Sequence, residues 1–226
     1  MIELSIMMMT LTIVIATAAV TIVAFRNHRI FTALMMDVEA VLGQRGEWWR
    51  IITSGLIHAD YPHLLMNMLS LFLFGRWIEH AMGSWRFALI YIFGIVIGSF
   101  ASLIVHRNNP SYRAVGASGG VTAIVGAATM LAPDAMMAVF PLPIPMPAWV
   151  VGCAFVVFSI VGSRWGGDNI GHEAHLGGTF AGISLTAAFF PDLIPYHWPY
   201  IAAMFASGAG AVLVSRRMMR GGGWRG

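Results

Sequence analysis

Lysine is absent from this 226-residue chain, and charge of either sign is scarce. Only 10% of the residues are charged, against 58% hydrophobic, and the mean hydropathy is +0.75. Soluble domains run at roughly 45–50% apolar and about 25% charged. Thirteen arginines and ten carboxylates cannot cover the surface of a water-soluble globule of this composition, so lipid is the expected solvent. The single cysteine, Cys153, excludes a disulfide scaffold, and with no CxxC pair no structural zinc is expected. The 25 glycines follow no fixed period, which excludes collagen and low-complexity architectures. The net charge of +3 and pI near 9.5 invite a nucleic-acid reading. Most of the arginines, however, are scattered between apolar runs, as flanking groups at membrane edges are. No nucleic-acid partner is expected.

What is present is a series of apolar runs. A spanning helix needs about 20 such residues. Ser5 to Phe25 is charge-free and ends at Arg26, which makes it a retained span rather than a cleaved signal. Residues 26–61 carry Arg26, Arg29, Asp37, Glu39, Arg45, Glu47 and Arg50, so they form a long loop outside the hydrocarbon. Trp48 and Trp49 suit a membrane interface. Further spans are expected at about Pro62–Ile78, Trp85–Val105, Ser118–Leu131, Ala148–Gly162 and His172–Phe190. The proline run from Pro141 to Pro147 cannot be helical throughout and reads as a connector. A seventh span is expected at about Pro199–Ser215. The expected fold class is therefore all-α: a polytopic helical bundle of six membrane helices over 1–190, an additional C-terminal helix within 191–215, and a basic, Gly-rich tail at 216–226.

Ionisable groups inside spans are costly and mark functional places. His63 and Asn67 are four apart at the start of the second expected span and share one helix face. Both can donate to an oxyanion, although spacing alone favours an interhelical polar clasp. Ser118 stands among Gly116, Gly119 and Gly120 at a helix start, where unpaired N–H groups favour negative charge. Locally that string reads first as a small-residue packing seam, and second as an accessible nucleophile. His175 lies in a Gly-rich apolar run with Gly178 and Gly182 one turn apart. It is either a packing or relay histidine or the base that a serine needs. His172, three residues before it, makes only a weak HxxH; no third ligand has fitting spacing, and no metal is expected.

The ordered set of these strings resembles the rhomboid intramembrane serine proteases. Glu47-Trp-Trp-Arg50 comes first, then His63-x-x-x-Asn67, then Gly116-x-Ser118-Gly119, then Ala174-His175-x-x-Gly178-x-x-x-Gly182. The match covers the core from about Glu47 to Gly182. The resemblance implies that Ser118 is the nucleophile and His175 its general base, and that His63, Asn67 and the Ser118 backbone N–H bind the oxyanion. It implies that Glu47, Trp49 and Arg50 belong to a loop bracing the fold at the interface, and that Glu79 is a structural carboxylate after the second span. One departure is Thr122, at a position where the family usually has an aromatic residue stacked on the catalytic histidine. The resemblance further implies cleavage of single-span transmembrane substrates with small or helix-weakening residues near the cut. No cofactor is implied. The expected setting is the plasma membrane of a prokaryote with the serine near the extracytoplasmic side. That side would then hold seven loop arginines, against Arg76 and Arg86 on the other, which runs counter to the positive-inside rule. The alternative is a catalytically inactive rhomboid-like protein that binds transmembrane clients. A small transporter would show paired broken helices and a pseudo-repeat, and neither is present.

Overall fold

In lipid every backbone polar group has to be satisfied within the protein, and apolar runs of this length do so as helices. The computed structural model describes residues 8–139, 142–165 and 170–221. The first long helix, α1, covers Met8–Arg26. Asn27 caps the short α2 (His28–Leu34), its side chain accepting from the Arg29 and Ile30 N–H groups. Strand β1 (Met36–Asp37) leads into α3 (Val38–Leu42), capped by Asp37, and α4 (Arg50–Thr53) continues into a 3-10 turn at Ser54–Leu56. The second long helix, α5 (Tyr61–Met82), starts at an Asp60 cap with Pro62 in its first turn, as a residue without an N–H allows. Gly83, at φ 86°, makes the tight turn into α6 (Ser84–His106).

Strand β2 (Arg113–Ala114) pairs antiparallel with β1 and is tied to it by an Arg113–Asp37 ion pair of 2.9 Å. Then follow α7 (Ser118–Leu131), an antiparallel hairpin of β3 (Met136–Val139) with β4 (Leu142–Pro147), and α8 (Ala148–Trp165). Within its described residues the proline-rich connector is thus extended ladder. Its prolines hold the φ values a strand can use and cannot continue a helix. Helix α9 spans His172–Phe189, and after a 3-10 turn at Pro191–Leu193 the last helix, α10, runs from Ile194 to Gly221. The architecture is an all-α polytopic membrane bundle. Met8–Arg26, Ser84–His106 and Pro191–Ser215 are long and apolar enough to cross a membrane. The expected start of the first span at Ser5, residues 166–169 and residues 222–226 of the expected tail fall outside the described residues, whereas residues 216–221 of that tail continue α10.

Helix α7 lies at the centre. Every residue from Gly119 to Met130 is buried, which a helix composed of Gly, Ala, Val, Thr, Ile and Met tolerates without an exposed polar face. Its neighbours approach at glycines. A Cβ at Gly94 of α6 would sit 2.7 Å from the Gly119 carbonyl oxygen, and one at Gly98 would sit 2.7 Å from the Ala174 carbonyl of α9. Gly182 of α9 packs directly on the Ala123 carbonyl, and Gly178 on that of Gly119. Small residues are what let membrane helices come this close.

Two buried charges fasten the rest. Glu79 is fully buried at the end of α5 and accepts from Met9 N, Thr10 N, Thr10 Oγ1 and Ser84 Oγ at 3.0, 2.8, 2.6 and 2.7 Å. It therefore serves as a carboxylate cap for the first turn of α1, where orphan N–H groups and the helix dipole favour negative charge. Arg50 donates through Nη1 to the Thr32 and Met35 carbonyls, at 2.6 and 2.8 Å, and through Nε to Glu47.

Candidate active site

Ser118 opens α7, and the helix has no side-chain cap: its N-cap residue is Ala117. The first-turn N–H groups are therefore not covered by a neighbouring side chain of the kind that caps α3 and α5. Gly116, just before it, takes φ 130° and donates its N–H to the Ser54 carbonyl at 2.9 Å. A side chain at Gly116 would collide with the His63 imidazole, 2.7 Å from Cε1 and 2.9 Å from Nε2. Glycine is thus required there twice, by its backbone angle and by the ring against it.

His63 is held by Asp60, whose Oδ1 accepts from the His63 N–H at 2.7 Å. Asn67 is buried one turn on, and its Nδ2 donates to the His63 carbonyl at 3.0 Å. An amide nitrogen has two hydrogens, so this bond leaves a second donor. His175 comes from the first turns of α9. Gly178, one turn after it, touches the Gly119 carbonyl, one residue after Ser118. That glycine contact brings the histidine-bearing and serine-bearing helices together.

Ser118, His175, His63, Asn67 and Gly116 all line one cavity of about 1040 Å³. The same walls carry Asp60, Ser70, Ser99, Ser102, Asn109 and Ser111. Polar side chains at this depth make it a place for water inside an apolar bundle. Ser70 lies one turn beyond Asn67, and Ser99 and Ser102 are three apart on α6; that helical spacing on otherwise apolar helices was the sequence signal for them. Thr122 also lines the cavity; its hydroxyl donates to the Gly119 carbonyl at 3.1 Å and packs against Gly178.

Among the other motif residues, Glu47 and Arg50 form the loop brace described above, and Gly119, Gly178 and Gly182 form the helix contacts. Trp49 points outward, 54% exposed. Glu79 is remote from the cavity, at the far end of α5.

His58 does not line the cavity: it is fully buried, with its ring edge against His63. Its Nε2 accepts from the Ala117 N–H at 3.3 Å, and its Nδ1 lies 3.2 Å from Thr21 Oγ1, whose hydroxyl is 3.1 Å from the Leu56 carbonyl. An acceptor Nε2 requires the neutral ring with its proton on Nδ1. The His58 and His63 rings meet edge to face at 5.0 Å. In this loop, outside the spans, burial and the neighbouring His63 push the His58 pKa down from 6.5 to about 3, against the opposing pull of Asp60. At the cavity rim burial raises the Tyr112 phenol above its ordinary value, partly offset by the nearby Ser102 hydroxyl. Tyr112 stacks on His106 at 3.7 Å, and His106 Nε2 lies 3.7 Å from Glu173 Oε2 at the start of α9.

Fold and cavity together define an integral membrane protein with a polar chamber inside its helical bundle. The Rhomboid domain model matches residues 45–192, more than half of the chain, and the chain belongs to the rhomboid family. It is 32% identical over 146 residues to rhomboid protease GluP of Bacillus subtilis, covering 64% of this chain and 26% of that one. It is 31% identical over 181 residues to rhomboid-related protein 2 of Mus musculus, covering 72% and 57%. Over 141 residues it is 34% identical to the mitochondrial rhomboid protein 1 of Saccharomyces cerevisiae, covering 59% and 39%. The chain spans less than two thirds of the length of these curated relatives.

Proposed function

We propose that this protein is an intramembrane serine endopeptidase that cleaves single-span transmembrane substrates by a Ser118–His175 dyad. The observation that carries this reading is one polar cavity lined by Ser118, His175, His63 and Asn67 together. Fourteen residues of α7 measure about 21 Å at 1.5 Å per residue, against a hydrocarbon core of about 30 Å. With its far end at one boundary, Ser118 lies about 9 Å inside the other, and the cavity supplies the water that hydrolysis needs.

In the first step Ser118 Oγ attacks the scissile carbonyl carbon while His175 takes the hydroxyl proton. The carbonyl oxygen becomes an anion, held by His63, the second Asn67 hydrogen and the Ser118 N–H at the uncapped tip of α7. Collapse breaks the C–N bond, and His175 gives its proton to the leaving amine. Water then attacks the acyl-enzyme, with His175 again as base, and releases the carboxylate and Ser118. No metal or cofactor enters these steps. A substrate helix has to unwind first, because helical carbonyls are already hydrogen-bonded; small or helix-weakening residues near the cut favour this.

The reading places the six-helix domain at 1–190, with 191–215 as an added span. It places the cavity on the extracytoplasmic side of a prokaryotic plasma membrane. Arg50 and Arg113 on that side are paired with Glu47 and Asp37, which weakens them as topology signals.

The test is cleavage of a single-span reporter in liposomes, with fluorophosphonate labelling of Ser118. Wild type should cleave and label, Ser118→Ala should do neither, and His63→Ala or Asn67→Ala should lose about 10²–10³ in rate. Cleavage by Ser118→Ala overturns the mechanism. A wild type that neither cleaves nor labels would point instead to a rhomboid-like protein that holds transmembrane clients, the reading to which Thr122 lends its support.

A further inference from the structure

We infer that His172 is a positioning residue for the His175 imidazole, packing edge-on against it from one helical turn upstream; this rests on His175 being the base of the proposed dyad. The two residues are three apart on α9 and share a face. Their rings meet at 6.1 Å between centroids and 78° between planes, an edge-to-face contact of the kind aromatic rings prefer. His172 is buried, while His175 reaches the cavity.

What makes His172 a fixed support is α8 behind it. Phe158 meets the His172 ring edge to face at 5.3 Å and 67°. Gly162, four residues further along α8, leaves the room the ring occupies: a Cβ there would lie 2.8 Å from Nδ1 and overlap Cε1 and Nε2. Phe158, His172 and His175 therefore form a file of rings running from α8 to the reacting pair.

Glu173 faces His106 on α6, and Thr122 is bonded to its own helix at Gly119. A serine–histidine dyad works only while the imidazole keeps its angle to the hydroxyl, and the His172 edge restricts rotation of the His175 ring.

The experiment uses the full chain in liposomes, with steady-state cleavage of the single-span reporter, Ser118 labelling and thermal unfolding measured in parallel. Wild type is compared with His172→Ala, His172→Phe and Gly162→Ala. His172→Ala should lower kcat about ten-fold or more with KM within about two-fold, as loss of orientation does. His172→Phe, which keeps a flat ring, should recover at least about a third of kcat. Gly162→Ala, whose methyl displaces the His172 ring from outside the cavity, should lower kcat in the same way. An unchanged kcat in His172→Ala, or a loss appearing only in KM, overturns the inference. So does a His172→Phe variant that unfolds like wild type yet recovers nothing. Should His172→Ala fail to fold, Gly162→Ala decides, and a normal kcat there overturns the inference. A wild type that neither cleaves nor labels overturns the protease reading itself, whereas an active wild type matched by His172→Ala overturns only the role of His172.

Discussion

Replacing Gly178 by alanine puts a methyl group where α9 touches α7, one turn from His175 and beside Ser118. The added Cβ would lie 2.8 Å from the Gly119 carbonyl carbon and closer still to its oxygen, whereas ordinary contacts begin at 3.4 Å. The facing atom is backbone and cannot rotate away, so the helices must part by at least the 0.6 Å between those values. Overpacking of this kind costs about 1–3 kcal/mol in stability. The larger effect is on rate: misplacing reacting groups by about 1 Å costs about 10²-fold, so a shift of this size should cost between about 10- and 100-fold, mostly in kcat. The assay is reporter cleavage in liposomes with Gly210→Ala beside it. Gly210 has nothing within 4 Å of its would-be Cβ, and alanine there should be neutral or stabilise α10 by roughly 0.5–1 kcal/mol. Equal activity of Gly178→Ala and Gly210→Ala, within about three-fold, would refute the argument that the glycine contact sets the distance between serine and histidine.

Further outcomes follow from other named groups. His58 is neutral in the fold with its pKa near 3, while in the unfolded chain it titrates near 6.5. The unfolded state binds the extra proton between those values, so thermal stability should fall as pH drops through 6.5 toward 3 and level off below, at up to about 1.4 kcal/mol per unit. His58→Gln, which keeps an acceptor for Ala117 N–H and a donor for Thr21, should flatten that part of the curve; an unchanged curve refutes the assignment. Glu79→Ala strands three donors at the start of α1 and the Ser84 hydroxyl at the start of α6. At about 1–3 kcal/mol for a buried unsatisfied group, it should lower the unfolding temperature sharply, without a specific effect on the KM of protein that remains folded. Arg50→Lys should destabilise nearly as much as Arg50→Ala, measured by thermal unfolding, because one ammonium cannot reproduce the fork on Thr32, Met35 and Glu47.

Hydropathy by itself located the long helices, because a run in lipid has to close its own hydrogen bonds whatever surrounds it, although α10 begins at Ile194 and carries the expected first residue, Pro199, in its interior. The helix starts at about Pro62, Ser118 and His172 were legible for the same local reason, and the order of the polar strings along the chain was enough to indicate the family. The connector at 136–147 could be read as non-helical from its prolines, but its ladder depends on which segment pairs with it. His58 shows most plainly what sequence could not supply. Its string places it in a polar loop beside cavity residues, and only its placement between Thr21 of α1 and the Ala117 N–H makes it a buried acceptor. Likewise Gly116, Gly119, Gly178 and Gly182 read one at a time as packing residues. Which carbonyl each one faces is a property of helices far apart in sequence. The tertiary structure alone therefore decided that Ser118, His175, His63 and Asn67 share a cavity, since backbone approach at glycine is set by the partner helix and not by the local string.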